Sequence, residues 1–385
     1  MNEIMRNWIL PEYISDVLPC EARLLEGLRR RMLDLFSCYG YEQVIPPLVE
    51  YVESLFTQED KALDLKTFKL VDELTGRQMG LRADITPQVA RIDAHILNRK
   101  GVARLCYAGS VVNTRPDGTL SSREPRQIGA EIYGCAGLAA DVEIIELMRE
   151  SLSLAGMNNL RLEIGHMGLF LAMAEASGLD GSAREEIFVA LQQKDLPSLK
   201  ASTTGLSAEL RQGFLALPNC YGGAEVLKSA REALPALPGV TEALDALDAL
   251  RAALQVRGIE PCFDLAELRS SYYHTGLVFA AYTPGYANAV ARGGRYDSVG
   301  EKFGRPRPAT GFSLDLRELS HLPFPARRSG ILAPAGDEPA LVCCIRKLRE
   351  QGEIVVVDLG VVGDESGCNR RLVKTDGDWK VVAQA

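Results

Sequence analysis

The chain has 385 residues, 46% hydrophobic and 24% charged, with a formal charge of −8, so it has room for two or three domains and gives no general electrostatic case for nucleic acid. Its nine scattered cysteines lack CxxC pairs and read as reduced thiols of a cytoplasmic protein. His95, His166, His274 and His321 are spaced too widely for a metal cluster, and with no signal pattern in MNEIMRNWILPEY and no bilayer-length apolar run, neither a metal nor a membrane is expected.

Residues 1–20 read as a loop with a short strand. Pro19 and Glu21 then open a helix to Cys38, with Leu24, Leu25, Leu28, Met32, Leu35 and Phe36 at helical spacing and Gly40 as its stop. GYEQVIPPLVEY (40–51) is a strand interrupted by Pro46 and Pro47, which places it at an edge or an interface. Residues 66–82 suit a hairpin turning at Thr75–Gly76, and 83–97 run into a helix whose first turn holds Asp84, Thr86 and Pro87. Asp and Thr cap helices routinely, so local sequence alone favours a structural role for both.

Residues 104–134 read as strand, polar loop, strand. Leu105, Tyr107, Val111 and Val112 suit a buried strand, and 114–122 carries turn chemistry. In the second strand Ile128, Ala130 and Ile132 share one face, and Gln127, Gly129, Glu131 and Tyr133 the other. A core strand does not give a face to an amide and a carboxylate. With Gly129 leaving space between them, Gln127 and Glu131 present an acceptor pair to a small polar or cationic ligand. A solvated edge hairpin is the competing reading.

Asp141 is expected to cap a helix over 141–155, and Leu160, Leu162 and Ile164 to form the next strand. Residues 167–257 shift to Ala and Leu and read as an all-helical insertion, with ALDALDAL as a packing face. Strand character returns from 258. The glycine pair of ARGGRYD (291–297) fits a simple tight turn, and ATGFSLDLREL (309–319) reads as a helix packed on the sheet. Residues 326–385 suit a small α/β domain, with strands at Ile331–Leu332 and Ile354–Val357, a helix over 338–351 and turns at GDESG and KTDGD. The expected domains are therefore a core in two parts (1–166 and 258–325), the insertion (167–257) and the tail (326–385).

Several of these stretches together resemble histidyl-tRNA synthetases. GYEQVIPPLVE resembles their dimer-interface motif, LRADIT with the 104–134 hairpin their second class II motif, LRSSYYHTGLVF and ARGGRYD their two histidine signatures, and ATGFSLDLREL their third class II motif. The resemblance runs in order over residues 5–320. It implies an α+β fold, a class II aminoacyl-tRNA synthetase-like antiparallel sheet flanked by helices, and a homodimer. It also implies that Asp84, Thr86 and Gln127 hold the histidine α-amino group, that Glu131 meets the imidazole and that Arg269 lies near the carboxylate. Tyr273 matches one pocket tyrosine, while His274 replaces the second and Asp84 is shorter than the family glutamate. Without the family, Arg269 reads as a partner for Glu267 and His274 as a core histidine.

The departures fall on the ATP side. Asn113 stands where the family has an α-phosphate arginine, Arg115 where it has a glutamate facing adenine, Asp315 where it has a small residue, and Glu318 where it has the γ-phosphate arginine. Arg317 does not replace it, since one helical step turns a side chain by ~100°. Phosphoryl activation needs cations where charge develops, so ATP activation is expected to be lost. A core that keeps its histidine side and loses its ATP side resembles the regulatory subunits of ATP phosphoribosyltransferase, as does the run YYHTGLVFAAY. That resemblance implies a non-catalytic protein without a cofactor, acting with the short catalytic subunit in the first step of L-histidine biosynthesis. It further implies L-histidine as feedback effector and a homodimer within a larger hetero-oligomer. The competing readings are a histidyl-tRNA synthetase or a synthetase-like ATP-dependent ligase. Both need phosphate-binding cations, and the first needs a basic surface, for which Arg327, Arg328, Arg370 and Arg371 are the candidates.

Overall fold

The computed structural model describes residues 9–55, 61–118, 121–268, 274–321, 329–360 and 367–383. Two compact units divide at Leu322 and Pro323.

The larger unit begins with α1 (Pro19–Cys38), which buries Leu24, Leu25, Leu28, Met32 and Phe36 on one side. Strands β1 (Glu42–Gln43) and β2 (Val49–Tyr51) follow, then short helices α2 (Val52–Leu55) and α3 (Lys61–Lys66), the hairpin β3 (Phe68–Val71) and β4 (Gln78–Leu81), and α4 (Thr86–Arg91). The central hairpin is β5 (Ala103–Ser110) and β6 (Arg126–Tyr133), followed by α5 (Leu138–Leu154) and β7 (Arg161–His166). The next stretch carries α6 (Met167–Ser177), α7 (Gly181–Gln192), α8 (Leu196–Ser202), α9 (Ala208–Ala216), the two-residue β8 (Tyr221–Gly222), α10 (Glu225–Ala233) and α11 (Pro238–Gln255). Strands β9 (Cys262–Asp264), β10 (Leu277–Tyr282), β11 (Ala291–Arg295) and β12 (Ala309–Asp315) complete it.

Nine strands form one sheet in the order β1-β5-β6-β12-β11-β10-β7-β9-β8, and β2-β4-β3 form a second. The large sheet is antiparallel except where β1 meets β5 and β7 meets β9, which run parallel. Strand β1 sits at its edge, as the two prolines require. Ile128, Ala130, Ile132, Phe312 and Leu314 face α1 and α5 in a hydrophobic cluster that continues through the buried faces of α6, α7 and α11. The opposite sheet face carries a second, smaller buried cluster that includes Ile85, Val89, Leu105, Tyr107, Tyr133 and Tyr296, and polar side chains such as Glu131 lie among these residues.

The smaller unit holds β13 (Gly330–Ala333), α12 (Pro339–Glu350), β14 (Val355–Val357), β15 (Cys368–Thr375) and β16 (Asp378–Ala383). Its sheet order is β14-β13-β15-β16. KTDGD is the turn between β15 and β16, with Asp376 and Gly377 both left-handed. Nearly all of GDESG lies outside the described residues. Arg370 pairs with Glu353 at 2.7 Å, which reduces its value as part of a basic surface.

Four local expectations are corrected. ATGFSLDLREL is not a helix: Ala309–Asp315 is the strand β12 between β6 and β11, and only Glu318–His321 makes a short 3₁₀ turn. The strand is buried on both faces over its first four residues, so its apolar positions do not show the simple alternation of a one-sided strand. Asp141 caps nothing, because α5 starts at Leu138 and the Asp141 carboxylate is buried in an ion pair with Arg295 at 2.7 Å. The helix at 83–97 changes pitch, with α4 continuing as a π-helix over Ile92–Leu97, where both oxygens of buried Asp93 accept from Arg307 Nη1 at 2.9 Å. The glycines of ARGGRYD are no turn but the middle of β11. A methyl group on Gly293 would collide with the Gly311 carbonyl and the Phe279 ring, and one on Gly294 with the His274 imidazole.

Gly293→Ala is therefore expected to destabilise the chain by about 1–3 kcal/mol through overpacking, measured by chemical denaturation. An unchanged midpoint would show that this sheet position tolerates a side chain.

Candidate functional site

A cavity of about 640 Å³ opens on the polar face of β6, β12 and β11, within the ordinary range for small-molecule sites. The antiparallel register sets its floor. Glu131 lies opposite Gly311, Gly129 opposite Ser313 and Gln127 opposite Asp315. On the other flank Tyr107 lies opposite Gly129.

Glu131 is the centre of this floor, with about 1% of its surface exposed. Its Oε1 accepts from the Tyr107 hydroxyl at 3.0 Å and the Thr86 hydroxyl at 3.1 Å, and its Oε2 from the Tyr296 hydroxyl at 2.5 Å. Gly311 has no side chain because a Cβ there would strike the Glu131 carboxylate. Gly129 does not leave open space as expected. The Tyr107 hydroxyl and ring edge fill it. A carboxylate offers about four lone-pair sites, so three hydroxyls leave room for one further donor. Burial pushes the Glu131 carboxyl up from 4.5 to about 8, against the lowering effect of the hydroxyls.

Asp84 and Thr86 enter from the loop and first residue of α4. The expected Gln127–Glu131 acceptor pair is replaced by an Asp84–Glu131 pair. Gln127 Oε1 is already used by the Ile85 backbone N–H at 3.0 Å, and its Nε2 donates to Asp84 Oδ1 at 2.8 Å. The same Asp84 oxygen accepts the Thr86 backbone N–H at 3.2 Å. Gln127 thus positions Asp84, and helix geometry and pocket geometry share one carboxylate. His274 also lines the cavity, buried edge-on against the Tyr296 ring with centroids 6.4 Å apart. Arg269 and Tyr273 lie outside the described residues.

Beyond this floor the cavity changes character. Asn113 lines it, buried, with its side-chain oxygen lacking a hydrogen-bond partner. Asp315 and Glu318 line it too. Asp315 Oδ1 accepts the backbone N–H groups of Arg126 at 2.8 Å and Arg317 at 2.9 Å, yet burial still lifts its carboxyl to about 6, with the Glu318 charge adding to the rise. Arg115 is exposed and does not line the cavity. The helical reason expected for excluding Arg317 fails, because no helix runs through it. Its guanidinium is instead engaged elsewhere, on the Ser15 carbonyl at 2.9 Å, the Ser15 hydroxyl at 3.0 Å and the Glu124 carbonyl at 3.3 Å. Lys66 lines this region but is paired with Asp117, and Arg292 is the other cation among the described lining residues.

Three site residues escaped the sequence reading. Tyr107 was read as core; pairing it with Gly129 across the hairpin was the signal available. Tyr296 sat inside the ARGGRYD signature without a role. Gln192 comes from the Ala- and Leu-rich helical stretch, where nothing in the local pattern marks it. A buried carboxylate trio, Glu163, Asp264 and Glu267, also went unforeseen; Arg161 meets Glu163 at 2.6 Å and Lys194 meets Asp264 at 2.5 Å.

The raised Glu131 carboxyl makes stability depend on pH. The folded chain keeps a proton that the unfolded chain releases, so this contribution is full below pH 4.5 and drains as pH rises through about 8. Glu131→Gln keeps the shape and cannot ionise. Thermal melting across that window should fall less steeply in Glu131→Gln than in the parent, and parallel profiles would contradict the buried-acid assignment.

The histidyl-tRNA synthetase family model matches residues 13–319, and the ATP phosphoribosyltransferase subunit HisZ C-terminal domain model matches residues 328–382. Proteins named ATP phosphoribosyltransferase regulatory subunit in Chromobacterium violaceum and Cupriavidus taiwanensis are 54% and 55% identical over 380 residues, covering 98% of this chain and 99% of each relative. A solved ATP phosphoribosyltransferase regulatory subunit/histidyl-tRNA synthetase from Bacillus halodurans has a TM-score of 0.81 at 27% identity, covering 93% of this chain and 95% of its own. Histidyl-tRNA synthetase from a Nostoc species, 19% identical over 98% of this chain and 97% of its own, has a TM-score of 0.77 and speaks for the fold alone. On sequence along its whole length, carried by a histidyl-tRNA synthetase-like core, the chain belongs to the ATP phosphoribosyltransferase regulatory subunit family.

Proposed function

We propose that the chain is a non-catalytic subunit acting with the short catalytic ATP phosphoribosyltransferase in the first step of L-histidine biosynthesis, and that L-histidine binds as feedback effector in the cavity around Glu131. The observation that carries this reading is the asymmetry of one cavity. At one end Asp84 and Glu131 offer acceptors held in place by Gln127, Thr86, Tyr107 and Tyr296. At the other, Asn113, Asp315 and Glu318 line the wall.

Carboxylates that accept from an ammonium and an imidazole make charge-assisted hydrogen bonds, each worth about 1.5–3 kcal/mol. Carboxylates facing a triphosphate repel it. One end of the cavity therefore suits the amino acid while the other disfavours the nucleotide. A cation beside Glu131 also lowers its carboxyl from about 8, so ligand entry near neutral pH releases a proton there.

A ligand regulates only through different affinities for two states. Histidine in this cavity therefore stabilises the less active arrangement of the complex. The exposed Ile45, Leu48 and Val49, flanking Pro46 and Pro47, support a homodimer through that segment. The nine cysteines, none of them in a disulfide, suit a reducing compartment, and among the described residues no helix is long and apolar enough to cross a membrane.

Two activities test the reading. Mixed with the short catalytic subunit, the chain should change both the rate of phosphoribosyl-ATP formation and its inhibition by histidine. The isolated chain should show no histidine-dependent ATP–pyrophosphate exchange. A catalytic subunit indifferent to the chain, or clear exchange turnover, overturns the proposal.

A further inference from the structure

Among the described residues, Gln192 is the one cavity-lining side chain contributed by the stretch 167–257. It is the last residue of α7, whose placement is well determined by sequence. Asp180 caps the helix by accepting the Ala183 N–H at 2.9 Å, and Ile187, Phe188, Ala190 and Leu191 bury one face. The helix ends by reversing direction. Lys194 adopts a left-handed φ of 52°, its N–H returns to the Leu191 carbonyl at 2.9 Å, and the Asp195 N–H returns to the Ala190 carbonyl at 2.8 Å.

That turn attaches the helix end at two points, to the last residue of β9 and to the segment that follows it. Lys194 Nζ meets the buried Asp264 carboxylate at 2.5 Å, and Gln192 Nε2 donates to the Leu268 carbonyl at 3.2 Å. A carbonyl partner fixes which end of the amide is which, because only the nitrogen can donate. Gln192 Oε1 therefore keeps its acceptor capacity, on a residue that lines the cavity and on an arm held by an ion pair.

We propose that Gln192 is a specificity-determining residue of the effector cavity, its Oε1 accepting an N–H of the bound amino acid. This makes the helical stretch part of the effector site, and ligand entry adds a bond between that stretch and the sheet. The inference rests on the proposed histidine site and deepens it. Histidine carries N–H donors at both its ammonium and its imidazole, so one can reach the Asp84–Glu131 end while another reaches Gln192.

The test is calorimetric titration of L-histidine at neutral pH into the full chain, alone and with the short catalytic subunit, for the parent, Gln192→Ala and Gln192→Glu. Alanine removes both amide bonds. Glutamate keeps an acceptor toward the cavity but loses the donor to Leu268. The expected result is affinity about 2- to 10-fold weaker in Gln192→Ala, the range of one neutral hydrogen bond, with Gln192→Glu binding at least as tightly as the parent. Equal weakening in both variants assigns Gln192 to holding Leu268 alone and overturns the inference. Parental affinity in both overturns it as well while leaving the histidine site standing. No binding by the parent overturns the histidine site and this inference with it.

Discussion

A buried carboxylate must be satisfied or neutralised, and the Glu131 site is built to meet that constraint. Three hydroxyls from three separate elements converge on it, from Thr86 at the start of α4, Tyr107 on β5 and Tyr296 just after β11. Two glycines make the space: Gly311 for the carboxylate and Gly129 for the tyrosine that serves it. Removing any one of these leaves a polar group stranded away from water, at a cost of about 1–3 kcal/mol. The same network leaves one acceptor position of the Glu131 carboxylate unfilled by the three hydroxyls.

Helix α4 links this network to the segment that carries the exposed apolar side chains. One end of the helix brings Thr86 to Glu131. Two residues on, buried Gln88 donates to the Pro47 carbonyl at 2.8 Å and to Glu50 at 2.9 Å, and Arg91 meets Glu50 at 2.5 Å. Arg82, immediately before the loop, donates to the Pro46 carbonyl at 2.7 Å, and Gly109 leaves the space for its guanidinium. Helix α4 is thus hydrogen-bonded both to the Glu131 network and to the Pro46–Pro47 segment.

Much of this was legible in the sequence because the relevant patterns are local. The helix at Pro19–Cys38 was readable from apolar spacing, a proline start and a glycine stop. The two faces of β6 followed from strict alternation, with Ile128, Ala130 and Ile132 in the core and Glu131 on the other side. What was not legible depended on register and on neighbours from distant elements. Gly129 looked like empty space until β5 placed Tyr107 over it. Gln127 looked like a ligand contact until Ile85 and Asp84 claimed its amide. The strand β12 read as a helix because Phe312, Leu314, Leu316 and Leu319 mix period two with the spacing of a following turn. Asp141 had the chemistry of a cap, yet Arg295, which lies 154 residues away in sequence, takes its carboxylate. Such assignments need the tertiary partner, which no local window contains.

The central claim is that a single cavity favours an amino acid and rejects a nucleotide. The most direct measurement is a pair of titrations into the same preparation of the chain, one with L-histidine and one with ATP and magnesium, followed by calorimetry in buffers of differing ionisation enthalpy. The account predicts saturable histidine binding with release of a proton and no detectable ATP binding. ATP binding as tight as that of histidine, or no histidine binding at all, would contradict it.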